Sequence, residues 1–177
     1  MEFTETPLVG AWVVDVSPMS DDRGFFARAW CADEFAEHSM EPKLVQANMS
    51  HNHMKGTLRG MHYQVSPYEE TKFVRCIRGA IYDVIIDLRP ESKTYRQWFG
   101  AELTAENRKA LFVPRGFAHG FQTLSDDAEV FYQVSEFYTP GAESGIRYSD
   151  PAFNIKWPEA VTVISEKDAN WPDFDQQ

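Results

Sequence analysis

Turn-forming residues interrupt this chain at short intervals along most of its length. The segments “SDDRG”, “RPESK”, “TAENR”, “VPRG”, “LSDD” and “TPGAESG” separate runs rich in β-branched and aromatic residues. Those runs are “LVGAWVVDV” (8–16), “KLVQANMS” (43–50), “TLRGMHYQ” (57–64), “TKFVRCIRG” (71–79), “AIYDVIIDL” (80–88), “RQWFGAEL” (96–103), “KALFVP” (109–114), “GFQTLS” (120–125) and “AEVFYQVSEFY” (128–138). Such spacing predicts an all-β sandwich or barrel, with a jelly-roll barrel as the best match. Only “CADEFAEHS” (31–39) and the stretch around 165–171 read as short helices. No repeat, low-complexity tract or Pro/Ser-rich linker divides the 177 residues, so a single domain over 1–177 is expected.

Composition enters where it narrows function. A hydrophobic fraction of 43% with 14% aromatics supports a packed core and excludes a mostly disordered chain. The net charge of −10 argues against a nucleic-acid partner, which would need a broad basic surface. An anionic substrate would require the arginines and lysines to gather in one pocket. No apolar run approaches the ~18 residues needed to cross a bilayer. The N-terminal “MEFTETPLVG” lacks the basic start and apolar stretch of a signal peptide. A soluble cytoplasmic protein with no membrane partner is therefore expected. Cys31 and Cys76 are too few for a disulfide framework, and Cys76 reads as a buried free thiol.

Strand alternation gives a finer picture, because every second side chain faces the same way. In “AEVFYQVSEFY”, Val130, Tyr132, Val134, Glu136 and Tyr138 share one face, a mixture that suits a pocket wall. In “TLRGMHYQ”, His62 and Gln64 share a face while Arg59 has the opposite parity. Arg59 and His62 reach one ligand only if Gly60 marks a bulge that re-aims Arg59. Asp83 and Asp87 share a face of “YDVIIDLR”, which is unusual within a strand and directs at least one of them toward a cavity. His51 and His53, in “SHNHMKG”, read as a polar loop rather than a metal site.

Seven motifs then occur in order: “DDRGFF” (21–26), “VQANMS” (45–50), “LRGMHYQ” (58–64), “KFVRC” (72–76), “VPRGFAHGF” (113–121), “YQVSEFY” (132–138) and “SEKD” (165–168). Together they resemble the dTDP-4-dehydrorhamnose 3,5-epimerase family of the cupin superfamily, over residues 8 to 170. The resemblance implies a jelly-roll cupin barrel, a homodimer, a nucleotide-diphosphate sugar as substrate, and neither metal nor cofactor. It implies that His62 takes the substrate's proton, that Asp168 pairs with His62, and that Tyr132 returns a proton from the opposite face. Lys72 would stand beside the keto oxygen. Arg23, Gln46, Asn48, Arg59, His119, Glu143 and Lys167 match positions that contact the nucleotide sugar, and Tyr138 matches an aromatic that packs on the base.

The residue types fit that chemistry. A proton α to a ketone is weakly acidic, so its removal takes a positioned base and stabilisation of the enolate oxygen. Neutral imidazole is a natural base near neutral pH, and a buried carboxylate fixes its tautomer. A cation at the keto oxygen stabilises charge as it develops. Inversion needs a second donor on the other face, and a phenol can serve.

Two readings from other classes compete. A metal-dependent cupin oxygenase would need His-x-His where this chain has His62-Tyr63-Gln64, leaving Glu69 or Glu70 and His119 to complete a reduced ligand set. A non-catalytic sugar-binding cupin would have no use for His62, Lys72, Tyr132 and Asp168 together. One position departs from the family. Arg28, in “RGFFAR”, stands where relatives carry a glutamate associated with nucleotide recognition. Arg28 is thus expected at the diphosphate or the base, and another nucleotide sugar, or inversion at one carbon only, becomes the alternative.

Overall fold

Gly79 alone separates β7 (Lys72–Arg78) from β8 (Ala80–Asp87), yet the two strands belong to different sheets. The switch demands φ = +73° at Gly79, and a β-carbon there would stand 2.3 Å from Ser125 Oγ. Only glycine fits without displacing that side chain. The computed structural model, described over residues 1–174, repeats such switches along the chain.

One sheet has six strands in the order β1 (Glu2–Glu5), β2 (Trp12–Asp15), β10 (Ala110–Val113), β7, β12 (Ala128–Val134) and β5 (Gln46–Asn52). The facing sheet has five: β13 (Glu143–Gly145), β6 (Leu58–Gln64), β11 (Phe117–Thr123), β8 and β9 (Trp98–Thr104). Within both sheets every neighbouring pair of these strands is antiparallel. From β6 to β13 the chain repeatedly alternates between sheets, which is the jelly-roll architecture of cupin-like proteins. A separate two-stranded hairpin, β3 (Met19–Asp21) and β4 (Gly24–Phe26), stands apart from both sheets.

Alternation sorts the side chains. Ile81 and Ile85 of β8 point inward to meet Val74, Leu111 and Val130 of the opposite sheet, while Val84 and Ile86 point outward onto Ile146 and Phe153. The outer face of the six-stranded sheet is closed by α1 (Ala32–Glu37), whose Phe35 is fully buried. Phe35 meets Phe73 and Phe112 edge-on, with ring centroids 5.0 and 5.8 Å apart. Four short strands fall outside the runs that the sequence predicts as strands. “SDDRG” lies within the β3–β4 hairpin, β13 lies inside “TPGAESG”, and β1 precedes the first expected run. Strand β11 also starts at Phe117, directly after the Gly116 turn, rather than at Gly120.

Candidate active site

A cavity of about 670 Å³ opens between the two sheets. Its walls include Gln46, Asn48, Arg59, His62, Gln64, Glu70, Lys72, His119, Tyr132, Tyr138 and Glu143. His62 and His119 are register partners on β6 and β11 of the five-stranded sheet. Tyr132 and Lys72 belong to β12 and β7 of the six-stranded sheet. The cavity therefore has His62 and His119 on one wall and Tyr132 with Lys72 on the other.

Arg59 reaches this cavity because β6 is bulged. His62 pairs with His119 and Arg59 with Phe121, so three residue steps on β6 oppose two on β11. Gly60 makes this possible. Its φ is +124°, and a β-carbon there would come within 2.5 Å of Gly120 Cα and 2.9 Å of the His119 carbonyl oxygen. Both obstacles are backbone, so Gly60→Ala should destabilise the fold by about 3 kcal/mol or more. A urea titration should show the midpoint falling by roughly 1 M or more. An unchanged midpoint would mean that the bulge relaxes freely. Arg59 itself is held by Asn52 Oδ1, which accepts from its Nε at 2.7 Å.

A carboxylate orients the His62 ring. Asp168 lies on α2 (Glu166–Ala169), a short helix capped by the Ser165 hydroxyl, which accepts the Asp168 N–H at 3.0 Å. Asp168 Oδ1 is 2.7 Å from His62 Nε2, and Oδ2 accepts the Gly60 N–H at 3.3 Å. Burial pushes the Asp168 carboxyl up, but the hydrogen bond and charge of His62 and the Gly60 N–H outweigh it. The group thus lies below the usual carboxylate range and is ionised at neutral pH. With Nε2–H donating to that carboxylate, the neutral ring carries its lone pair on Nδ1. Trp171 flanks the ring, with centroids 6.3 Å apart, and packs on Gly145, where any β-carbon would meet the indole at 2.4 Å.

The other groups are similarly held. Lys72, nearly buried, forms an ion pair with Glu70, whose second oxygen accepts from Gln64 Nε2 at 3.3 Å. His119 Nε2 is 2.8 Å from Asp83 Oδ1, and Asp83 is fully buried. Asp83 is thus the inward-facing aspartate of β8. Asp87 instead accepts hydrogen bonds from Arg89, Ser92 and Thr94. Burial raises the Tyr132 phenol above its ordinary value, and the nearby Glu70 charge adds to this, so Tyr132 remains protonated at neutral pH. At the rim, Glu143 accepts from Tyr138 Oη at 3.4 Å and pairs with Lys167, which also lies 5.3 Å from the Trp171 ring.

Two of the expected residues lie away from this chain's own cavity. Arg23 is 90% exposed and pairs with Asp21 on the hairpin, which leaves the barrel as a separate two-stranded sheet. Arg28 donates from Nη1 to Glu34 Oε1 at 2.7 Å, and Glu34 Oε2 also holds the N-terminal amine at 2.8 Å. The hydrogen bond to Glu34 raises the Arg28 pKa, and the side chain belongs to the first turn of α1 rather than to the cavity. An oxygenase-type ligand set does not assemble either: Glu70 turns to Lys72, His62 to Asp168 and His119 to Asp83. Asp83, Gly145 and Trp171 are the parts of the site to which sequence reading assigned no role, and Glu70 entered only as a ligand in the competing metal-dependent reading, not as the partner of Lys72. The parity of Glu70 with Lys72 was the available signal for that pairing.

The fold and this cavity define a cupin-like barrel with ionisable groups on facing walls. The chain belongs to the dTDP-4-dehydrorhamnose 3,5-epimerase family, whose model matches residues 5–176. It is 40% identical over 175 residues to the dTDP-4-dehydrorhamnose 3,5-epimerase of Shigella flexneri, covering 98% of this chain and 96% of that one. The crystal structure of the corresponding epimerase from Elizabethkingia anophelis superposes with a TM-score of 0.96 at 37% identity, covering 100% and 98% of the two chains. A Legionella pneumophila dTDP-6-deoxy-D-glucose-3,5-epimerase, solved in complex with dTDP-4-keto-L-rhamnose, has a TM-score of 0.91 at 36% identity, covering 98% and 93%. The protein is an isomerase of the epimerase type.

Proposed function

We propose that this epimerase inverts C3 and C5 of dTDP-4-dehydro-6-deoxyglucose, using His62 as base and Tyr132 as acid. The observation that carries this reading is the carboxylate-oriented His62 on one sheet facing a half-buried, protonated Tyr132 on the other across one cavity. Both carbons are α to the C4 ketone, so the same enolate chemistry serves each. His62 Nδ1 removes the proton as the imidazolium forms against Asp168. The Lys72 ammonium has three N–H donors and gives Glu70 one, which leaves donors for the enolate oxygen. His119, held by Asp83, supports the same oxygen. Tyr132 then protonates the opposite face, and the stereocentre inverts.

Arg59, Gln46 and Asn48 would take the diphosphate and sugar, while Glu143, Lys167 and Tyr138 at the rim would take the nucleoside. A cytoplasmic homodimer is part of this reading. Met19, Phe25 and Phe26 of the β3–β4 hairpin are 65%, 51% and 69% exposed, more apolar surface than a free three-residue hairpin strand usually carries. A second copy covering that hairpin would bring Arg23 to its partner's cavity. Sedimentation should show a dimer, and a monomer at micromolar concentration would remove this part of the reading.

Substrate choice is tested with dTDP-, CDP- and GDP-linked 4-keto-6-deoxy sugars, with conversion read by NMR. The dTDP sugar should turn over fastest. Because Arg28 is engaged with Glu34, Arg28→Glu should leave the dTDP-to-CDP preference unchanged. A switch in preference would put Arg28 in a nucleotide pocket, and preferred turnover of the CDP or GDP sugar would overturn the proposed substrate.

A further inference from the structure

We infer that His51, His53 and Asp127 form a binding site for a divalent transition-metal ion such as Zn²⁺, separate from the His62–Asp168 pair. Strand β5 ends at Asn52, β12 begins at Ala128, and these two residues are register partners. The residues just beyond, His53 and Asp127, are tied together by the Asp127 N–H, which donates to the His53 carbonyl at 3.2 Å. His51, one step back on β5, completes the corner.

Three donor atoms converge there. His51 Nε2 is 3.2 Å from His53 Nδ1 and 3.5 Å from Asp127 Oδ1, and His53 Nδ1 is 4.0 Å from that same oxygen. Donors bound ~2.0–2.1 Å from a tetrahedral ion stand roughly 3.3–3.4 Å apart. This triangle is thus close to one face of a zinc coordination tetrahedron. The two imidazole planes cross at 81°, so the nitrogens approach each other without the rings stacking.

The remote nitrogen of His51 supplies a second, independent observation. Nδ1 stands 3.5 Å from Glu129 Oε1, and Glu129 is the register partner of His51 on β12. A carboxylate at the far nitrogen fixes the tautomer that presents a lone pair at Nε2 and strengthens the ligand, as carboxylate–histidine–metal arrangements do. Two imidazoles with one carboxylate suit Zn²⁺, Co²⁺ or Ni²⁺, whereas Ca²⁺ and Mg²⁺ favour all-oxygen shells. His53 is 85% exposed, so an ion reaches the site directly. His51 also lines the cavity, which sets the ion at its mouth, although no step proposed for epimerisation uses it.

The test titrates chelator-treated protein with Zn²⁺ by calorimetry, and with Co²⁺ by visible absorption. Wild type should bind one ion per chain and give the strong visible bands of tetrahedral Co²⁺. Glu129→Gln should weaken Zn²⁺ binding about 10–100-fold. His53→Ala and Asp127→Asn should weaken it at least as much and abolish the cobalt bands, while metal-free His53→Ala keeps wild-type epimerase activity. Absence of saturable binding in wild type would overturn the assignment. So would equal affinity in wild type and His53→Ala, or binding lost only in His62→Ala, which would move the ion to the cavity floor.

Discussion

His62→Ala should stop solvent deuterium from entering C3 and C5 of the sugar, with exchange falling by on the order of 10²–10⁴-fold. The reason lies in the arrangement of nitrogens and carboxylates. Of the other cavity imidazoles, His119 is bound through Nε2 to the fully buried Asp83 and belongs to the oxygen-stabilising group in this account, while His51 stands at the mouth with its ring nitrogens turned to His53, Asp127 and Glu129. Lys72 is engaged in an ion pair with Glu70, and Tyr132 is held protonated by burial, so neither is a ready acceptor. Deuterium uptake is read by proton NMR in D2O, and the far-ultraviolet spectrum checks that the variant is folded. His62 lines an open cavity rather than the core, so truncation leaves the packed clusters intact. Exchange within a few-fold of wild type would remove His62 from the role of base.

Tyr132→Phe separates two events that a single rate measurement merges. Without the phenol the six-stranded sheet is left with Lys72, which is committed to Glu70 and the enolate oxygen, but His62 can still return a proton from its own side. Exchange at the α-carbons should persist while inversion drops by on the order of 10²-fold or more. The ring itself packs against the interior core, and phenylalanine preserves that packing. The informative quantity is the ratio of deuterated but uninverted sugar to inverted sugar. Equal small losses of exchange and inversion would reduce both residues to pocket shaping.

The parts of this site that alternation governs were legible in the residues themselves. Tyr132 and Val134 share the inward face of β12 as parity requires, and the glycine inside “LRGMHYQ” correctly announced the bulge that brings Arg59 beside His62. Turn chemistry was less informative where strands are three residues long. Both the hairpin around Asp21 and the β13 segment at Glu143 have turn-like composition; the hairpin pairs locally with itself, and β13 gains its ladder from β6, distant in sequence.

Pairings across the fold were the least visible. Nothing local links His62 to Asp168, 106 residues away, so only the resemblance to a family suggested it. Distance in sequence likewise kept Asp127 and Glu129, each 3.5 Å from a His51 ring nitrogen, out of the reading of “SHNHMKG”. Arg28, whose motif position suggested a nucleotide contact, pairs within this chain with Glu34, six residues on in α1.

The central claim is that inversion proceeds by proton loss to one wall of the cavity and proton gain from the other. It is tested most directly by the fate of hydrogen at C3 and C5 during turnover of dTDP-4-dehydro-6-deoxyglucose in D2O by chelator-treated wild-type protein. Each inverted carbon should carry a solvent deuteron from the first turnover onward, with its proton signal absent from the product spectrum. An inverted product that keeps its original hydrogen at either carbon would contradict the account, because the hydrogen would then have moved without exchange with His62, Tyr132 or water.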